Sequence, residues 1–178
     1  MRLFTAVDIP DSIKDSLAKT IERLRPFADL KWTNVDKLHI TTKFIGEWRQ
    51  DRMPEMTAAL RGVGSPGAMF IAVRGIEWIP DARHPRMLWA GVEAAPGLAS
   101  LATETEEALR ALGVAVEDRK YSPHLTLARI RDHAVATALR PAIEPERQID
   151  FGSFTASAFC LYLSQDGRYT KLAEFSLV

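Results

Sequence analysis

Residues 38–45 read Leu-His-Ile-Thr-Thr-Lys-Phe-Ile, and residues 123–130 read Pro-His-Leu-Thr-Leu-Ala-Arg-Ile. Each stretch contains a histidine, an aliphatic residue and a threonine in that order. Alternation of polar and apolar residues over this length is typical of a β-strand with one buried face. The pattern therefore predicts two strands on which histidine and threonine share one face while the aliphatic residue between them faces a core. The four polar residues concerned are His39, Thr41, His124 and Thr126.

The two stretches belong to a longer internal repeat. The interval from His39 to His124 equals that from Thr41 to Thr126, and we call this interval the repeat offset. The same offset aligns similar residues from position 3 onward without a gap. Two copies make a duplicated domain rather than a solenoid, which needs three or more shorter units. The chain is therefore predicted to be one domain, residues 1–178, made of two pseudo-symmetric repeats at about 1–66 and 67–178. The aligned pairs include Leu3 with Leu88, Val7 with Val92, and Asp8 with Glu93.

The order of predicted elements is strand, helix, strand, helix, strand, given twice. This order predicts an α+β protein, a bilobal duplicated fold with two mostly antiparallel sheets that face a central cleft and helices outside. A short helix is expected near 132–140, ending before Pro141, and two closing strands at about 151–164 and 169–177. A doubly wound nucleotide-binding sheet is disfavoured because the chain contains neither G-x-G-x-x-G nor the phosphate-loop motif.

Composition and charge exclude several classes of protein. The chain has 178 residues, of which 47% are hydrophobic and 26% charged, as in ordinary globular proteins. Its net charge is zero, so strong non-specific binding to long nucleic acid is not indicated. Cys160, the single cysteine, excludes an internal disulfide and fits a reducing compartment. With no apolar run of about 18 residues, no membrane partner is expected and the chain is predicted to be cytoplasmic. We also expect it to be a monomer.

Two histidines across one cleft can divide the work of acid–base catalysis. Histidine donates and accepts protons near neutral pH, and each such step is typically worth about 10²–10⁴ in rate. The hydroxyls of Thr41 and Thr126 are suited to bind the oxygens of an anion held between the rings. Arg129 could stabilise phosphate charge. Strict alternation, however, places Arg129 on the opposite face from His124, so it reaches the cleft only where the strand bends, bulges or ends.

Other catalytic chemistries have weaker support. A catalytic zinc site typically uses three protein ligands, and no third ligand stands at an obvious spacing from either motif. The remaining histidines, His84 and His133, are expected at the surface and outside the site. A serine hydrolase is disfavoured because no Gly-x-Ser-x-Gly elbow occurs. Cleavage of a phosphoester without a metal or other cofactor is therefore the favoured reaction.

These residues resemble the 2H phosphoesterase superfamily, which is named for two His-x-Thr-x motifs. More narrowly, the chain is similar to the bacterial and archaeal RNA 2',3'-cyclic phosphodiesterases, also called 2'-5' RNA ligases. The resemblance covers nearly the whole chain, and the Phe-Ile-Gly-Glu and Leu-Ala-Arg extensions of the two motifs point to the narrower family. Its main segments are residues 4–7, 37–47, 122–129 and 167–172.

The resemblance implies roles for the five candidate residues. His39 and His124 would be the catalytic acid and base, in either order; Thr41 and Thr126 would hold phosphate oxygens, with help from Arg129. The implied reaction converts a terminal RNA 2',3'-cyclic phosphate to a 2'-phosphate without a metal, and its reverse type would form a 2'-5' linkage. Thr42 and Ser122 depart from the family, which more often has an aliphatic and a basic residue there.

Two alternatives stay open. The chain could act on small cyclic nucleotides, or it could be a non-catalytic module that binds a nucleotide or RNA. Basic residues near the two motifs are interpreted in one of two ways: they attract a phosphate-bearing end electrostatically, or they are solvated residues at strand ends with no such role. These residues are Lys43, Arg119, Lys120, Arg129 and Arg131.

Overall fold

The fold is seen in a computed structural model, which describes residues 1–64, 66–94 and 96–178, the side chain of His133 excepted. Nine strands and four helices follow one another in the described ranges. The strands are β1 (Arg2–Asp8), β2 (Lys31–Trp32), β3 (His39–Glu47), β4 (Met69–Ile79), β5 (Met87–Ala94), β6 (His124–Arg129), β7 (Asp150–Ala156), β8 (Ala158–Gln165) and β9 (Arg168–Ser176). The helices are α1 (Asp11–Leu24), α2 (Met53–Arg61), α3 (Gly97–Arg110) and α4 (His133–Ile143).

The strands form two antiparallel sheets. The first has the order β3-β1-β8-β9, and the second has the order β2-β6-β5-β4-β7. Every strand pair in both sheets is antiparallel. The predicted α+β class with two antiparallel sheets is therefore confirmed.

The two sheets share one plan but draw strands from both halves of the chain. At the repeat offset, strand β1 is equivalent to β5 and β3 to β6, and both pairs occupy equivalent places in their sheets. Strands β8 and β9, from the end of the chain, complete the first sheet, whereas β4 joins the second. The division into copies at about 1–66 and 67–178 therefore does not map strand for strand onto the two sheets.

Two helices also cross between the halves. Helix α1 packs against β7 of the second sheet, and α3 packs against β3 of the first. Both are amphipathic, and burying each large aliphatic side chain contributes about 1.5–3 kcal/mol. No helix in the described ranges is long and apolar enough to cross a membrane. The buried apolar residues include Ile13, Leu17, Ile21 and Leu24 of α1, and Leu98, Leu101 and Leu109 of α3.

Two details near the end of the chain differ from the sequence prediction. The strand expected at 151–164 is two strands, β7 and β8, which belong to different sheets and are separated at Ser157. The amide of Leu177 donates to the carbonyl of Ser157, so this crossing point is tied to the end of β9. Helix α4 continues past Pro141 to Ile143, although a proline inside a helix removes one backbone hydrogen bond, and burial of Ala136, Leu139 and Ile143 offsets that loss.

Candidate active site

The two His-x-Thr motifs lie on β3 and β6 with the predicted alternation. On β3, His39 and Thr41 are partly exposed while Ile40 between them is fully buried. On β6, His124 and Thr126 are partly exposed while Leu125 is fully buried. Histidine and threonine therefore share one face of each strand, as the sequence predicts.

Both imidazole rings are held by the same backbone contact. Nδ1 of His39 lies 2.7 Å from the carbonyl oxygen of Lys37, and Nδ1 of His124 lies 2.8 Å from that of Ser122. A carbonyl oxygen only accepts, so each Nδ1 carries hydrogen and donates it. The neutral rings therefore present an unprotonated Nε2, which is the nitrogen that can take up a proton and give it back.

An aromatic ring stacks on each histidine, and the two aromatic residues occupy equivalent positions in the internal repeat. Phe4 stacks on His39 with ring centroids 4.7 Å apart, and Trp89 stacks on His124 at 3.5 Å and 8° between planes. Phe4 and Trp89 are themselves separated by the repeat offset. Sequence analysis missed both as site residues, although extending the offset to aromatic pairs would have found them. The stacking fixes the plane of each imidazole.

His39 has further aromatic and charged residues around it. The ring of Tyr169 meets His39 edge-on at 5.2 Å, and Tyr162 lies at 6.3 Å. Asp8, the register partner of His39, accepts a hydrogen bond from Tyr162 at 2.5 Å and forms an ion pair with Lys171 at 2.8 Å. Burial opposes ionisation of Asp8, but the contacts from Lys171 and Tyr162 hold the pKa of its carboxyl below the ordinary value.

Burial lowers the pKa of both histidines because it disfavours the imidazolium form. For His39, the Lys37 carbonyl and the Asp8 carboxylate oppose the shift, whereas the positive charge of His124 adds to it. For His124, the Ser122 carbonyl is the opposing influence. The two rings therefore interact electrostatically, and both are largely neutral at pH 7.

The strands that carry the motifs meet at the boundary between the sheets. Strands β3 and β6 lie next to each other there, although they belong to different sheets. The hydroxyl of Tyr121 donates to the carbonyl oxygen of Thr41 at 3.0 Å, linking the approach to β6 directly to β3. Burial raises the pKa of Tyr121, so its hydroxyl stays protonated and keeps donating. The structure thus brings the two predicted motifs together.

A β-bulge in each motif strand places Arg129 on the cleft face. The register with the neighbouring strand shifts by one residue at Thr42 in β3 and at the equivalent Leu127 in β6. A bulge breaks the alternation of faces, so Arg129 is exposed on the same side as Thr126 and touches the Met87 sulfur at 3.8 Å. Strict alternation would have placed Arg129 on the face opposite His124, and the bulge reverses that placement. The equivalent position in β3 holds Phe44, which is 62% exposed.

Lys43 does not take part in attracting a phosphate. Its ammonium is buried, forms an ion pair with Glu106 at 2.8 Å and donates to the carbonyl oxygen of Ala115 at 2.8 Å. The expectation that Lys43 contributes to an electrostatic approach was wrong, because the bulge at Thr42 breaks the alternation and places Lys43 on the buried face together with Thr42. The other basic residues near the motifs remain exposed, and these are Arg119, Lys120, Arg129 and Arg131.

No third ligand joins the histidines in the part of the chain that is described. Within the described ranges, no three His, Cys, Asp or Glu side chains are grouped so that they could hold a metal ion. His84 is exposed, as expected. The side chain of His133 lies outside the described part of the chain.

A family model and several known proteins are similar in sequence to this chain. The model of the 2'-5' RNA ligase superfamily matches residues 13–168. The RNA 2',3'-cyclic phosphodiesterase of Methanocaldococcus jannaschii is 34% identical over 92% of this chain and 91% of its own length. The protein of the same name from Thermus thermophilus is 32% identical over 99% and 90%. The relatives thus align with this chain over nearly their full lengths.

Solved structures show the same architecture. TT0787 of Thermus thermophilus superposes with a TM-score of 0.80 at 27% identity, covering 99% of this chain and 98% of that one. Escherichia coli LigT, complexed with 3'-AMP, gives a TM-score of 0.82 at 23% identity with the same coverage and shows the shared fold. The resemblance drawn from the two motifs is confirmed, and the chain belongs to the 2'-5' RNA ligase superfamily.

Proposed function

We propose that this protein hydrolyses RNA ends that carry a 2',3'-cyclic phosphate and leaves a 2'-phosphate, using His39 and His124 as acid and base without a metal. The observation that carries the proposal is the pair of imidazoles set by identical Nδ1–carbonyl bonds on neighbouring strands. Membership of the family makes the chain an enzyme of the cyclic phosphodiesterase class. Its curated relatives are named as RNA 2',3'-cyclic phosphodiesterases, which supports RNA ends as the substrate.

The proposed step needs one proton acceptor and one proton donor on opposite sides of the phosphorus atom. One histidine removes a proton from water through Nε2, and the oxygen of that water forms a new bond to phosphorus. The bond from phosphorus to the 3' oxygen breaks, and the other histidine protonates that oxygen as it leaves. The phosphate stays on the 2' oxygen. Attack by a 5'-hydroxyl on the same phosphorus in place of water would give a 2'-5' linkage.

Donors on the cleft face would stabilise the oxygens that do not react. The hydroxyls of Thr41 and Thr126 lie on the same face as the histidines, and they would donate to the non-bridging oxygens. The guanidinium of Arg129 would offset the negative charge that grows on them in the transition state. The proposal treats the protein as a monomer, because one chain supplies all five residues.

The test is an assay of purified protein in EDTA with an oligonucleotide that ends in a 2',3'-cyclic phosphate. We expect a 2'-phosphate product at the same rate with and without the chelator. Absolute dependence on added metal would refute the metal-free mechanism. Binding of the substrate without any turnover would instead identify a non-catalytic module, and turnover of mononucleotides alone would identify an enzyme for small cyclic nucleotides.

The pH profile of kcat/KM should be bell-shaped, with its maximum on the acid side of neutrality. The base must be unprotonated and the acid protonated, and burial holds the pKa of both histidines below 6.5. Activity should therefore fall as pH rises through 7, because the acid loses its proton. Initial rates at low substrate concentration across the pH range measure this directly. A profile that stays flat or rises through neutrality would contradict the assigned division of roles.

Replacing Arg129 with alanine should lower kcat/KM by about 10²-fold, the typical cost of losing one preorganised charge at a transition state. Lysine at this position should restore part of the loss, since it keeps the charge but not the planar fork. Arg131→Ala is a matched control, because Arg131 is also exposed but lies beyond the end of β6. Equal losses in the two alanine variants would show a general electrostatic effect and no specific role for Arg129.

A further inference from the structure

A groove of about 430 Å³ lies on the second sheet beside the candidate site. Its lining includes three alternate residues of β4, Phe70, Ala72 and Arg74, together with Glu93 of β5 and Pro123. We refer to it as the Phe70 groove. Pro123 directly precedes His124 in the chain, so the groove begins where the catalytic strand begins.

The register of the strands places the groove on the catalytic face of the sheet. Trp89 stacks on His124, and Glu93 stands four residues further along β5 on the same face. Glu93 forms an ion pair with Arg74 at 3.4 Å, which puts Arg74 on this face too. Phe70 is four residues from Arg74 on β4 and therefore shares its orientation. The Phe70 groove is thus a continuation of the cleft.

Its distance from His124 exceeds the reach of a single nucleotide. Arg74 and His124 both pair with Gly91, from opposite sides of β5. Phe70 lies two strands across from β6 and four residues along β4, which places it roughly 16 Å from His124 by strand geometry. A phosphate held between the two histidines keeps its own nucleoside closer than this. Phe70 is therefore in reach of the nucleotide before the terminal one.

The chemistry of the groove suits a nucleobase better than a phosphate. Phe70 is 59% exposed and offers a ring on which any base can stack. Arg74 is balanced by two carboxylates, Glu93 at 3.4 Å and Asp150 at 3.5 Å, so the three side chains together carry a negative charge. That charge disfavours a phosphate. The carboxylates can accept hydrogen bonds from the amino groups of a base, and the guanidinium can donate to its carbonyl or ring nitrogen.

We infer that the Phe70 groove binds the base of the penultimate nucleotide of an RNA strand whose cyclic phosphate lies between His39 and His124. The inference rests on the proposed function and adds a substrate preference to it. The enzyme should favour oligonucleotide ends over mononucleotides, and Phe70 should carry much of that preference.

The test compares kcat/KM for adenosine 2',3'-cyclic phosphate and for a diadenosine ending in the same group, in the wild type, Phe70→Ala and Phe27→Ala. Phe27 is a matched control, since it is 54% exposed but lies in the short turn after α1. Because stacking on one aromatic ring is worth an order of magnitude in binding, Phe70→Ala should lower the dinucleotide value about tenfold. The mononucleotide value should not change, and Phe27→Ala should alter neither.

Other outcomes separate this inference from the proposed function. If the wild type turns over both substrates equally well, or if Phe70→Ala lowers both values alike, the groove does not read the penultimate base while the proposed function stands. If neither substrate is turned over, the proposed function fails. A binding measurement then tests whether the Phe70 groove binds a base. In that case the affinity for a diadenosine ending in a 2'-phosphate should fall about tenfold in Phe70→Ala, and an unchanged affinity would overturn the inference.

Discussion

His39→Ala and His124→Ala should each lower kcat by about 10³-fold or more, because each removes one of the two proton-transfer groups that the proposed step requires. The double variant should be little worse than either single one, since residues that act as a unit are not additive. Single-turnover rates with an oligonucleotide 2',3'-cyclic phosphate measure the chemical step separately from product release.

The control for these variants is His84→Ala, an exposed histidine away from the motif strands, which should keep full activity. His39 packs between Phe4 and Tyr169, so its alanine variant leaves a small hole. His39→Gln fills that space without a titratable group and should be equally inactive, with an unchanged circular dichroism spectrum. Retention of more than a tenth of the activity in either single variant would contradict a two-histidine mechanism.

Thr41→Val and Thr126→Val should each lower kcat by about 10²-fold, the lower end of the cost of losing one donor to a transition-state oxygen. Valine keeps the size and branching of threonine and removes only the hydroxyl. Both positions lie on the cleft face beside a histidine. Their effect should therefore fall mainly on kcat, with little change in KM, and steady-state kinetics with the oligonucleotide substrate separates the two.

Thr42→Val provides a control within the same strand. The Thr42 hydroxyl is buried and hydrogen-bonded to the hydroxyl of Thr5 at 2.7 Å, because alternation places it on the face of β3 opposite Thr41. Its loss leaves Thr5 unpaired and should lower the free energy of unfolding by about 1–3 kcal/mol, with kcat unchanged. If Thr42→Val and Thr41→Val had the same effect on kcat, the assignment of Thr41 to phosphate binding would be wrong.

The local sequence pattern was enough to predict the placement of the two His-x-Thr motifs in the candidate site. Alternation around Ile40 and Leu125 predicts which side chains share a face, and the constant repeat offset predicts that the two motifs occupy equivalent places. These are properties that can be read along the chain, and the structure reproduces them. The catalytic roles of His39 and His124 remain predictions for the assays above.

Long-range pairing was not predictable in the same way. Nothing in the local sequence distinguishes β7 from β8, so the change of sheet at Ser157 depends on which partner strands are available in the folded chain. The bulges at Thr42 and Leu127 are likewise set by pairing with β1 and β5. They decide that Lys43 is buried and that Arg129 is exposed on the cleft face, neither of which alternation alone predicts.

The crossing of α1 and α3 between the halves, together with the transfer of β8 and β9, means that neither half of this chain can close a core by itself. Each half leaves apolar surface that only the other half covers, and both contribute to one hydrophobic core. If the chain were cut between the halves, the separate pieces would lose this shared support. His39 and His124 would then come together only after the two pieces had associated.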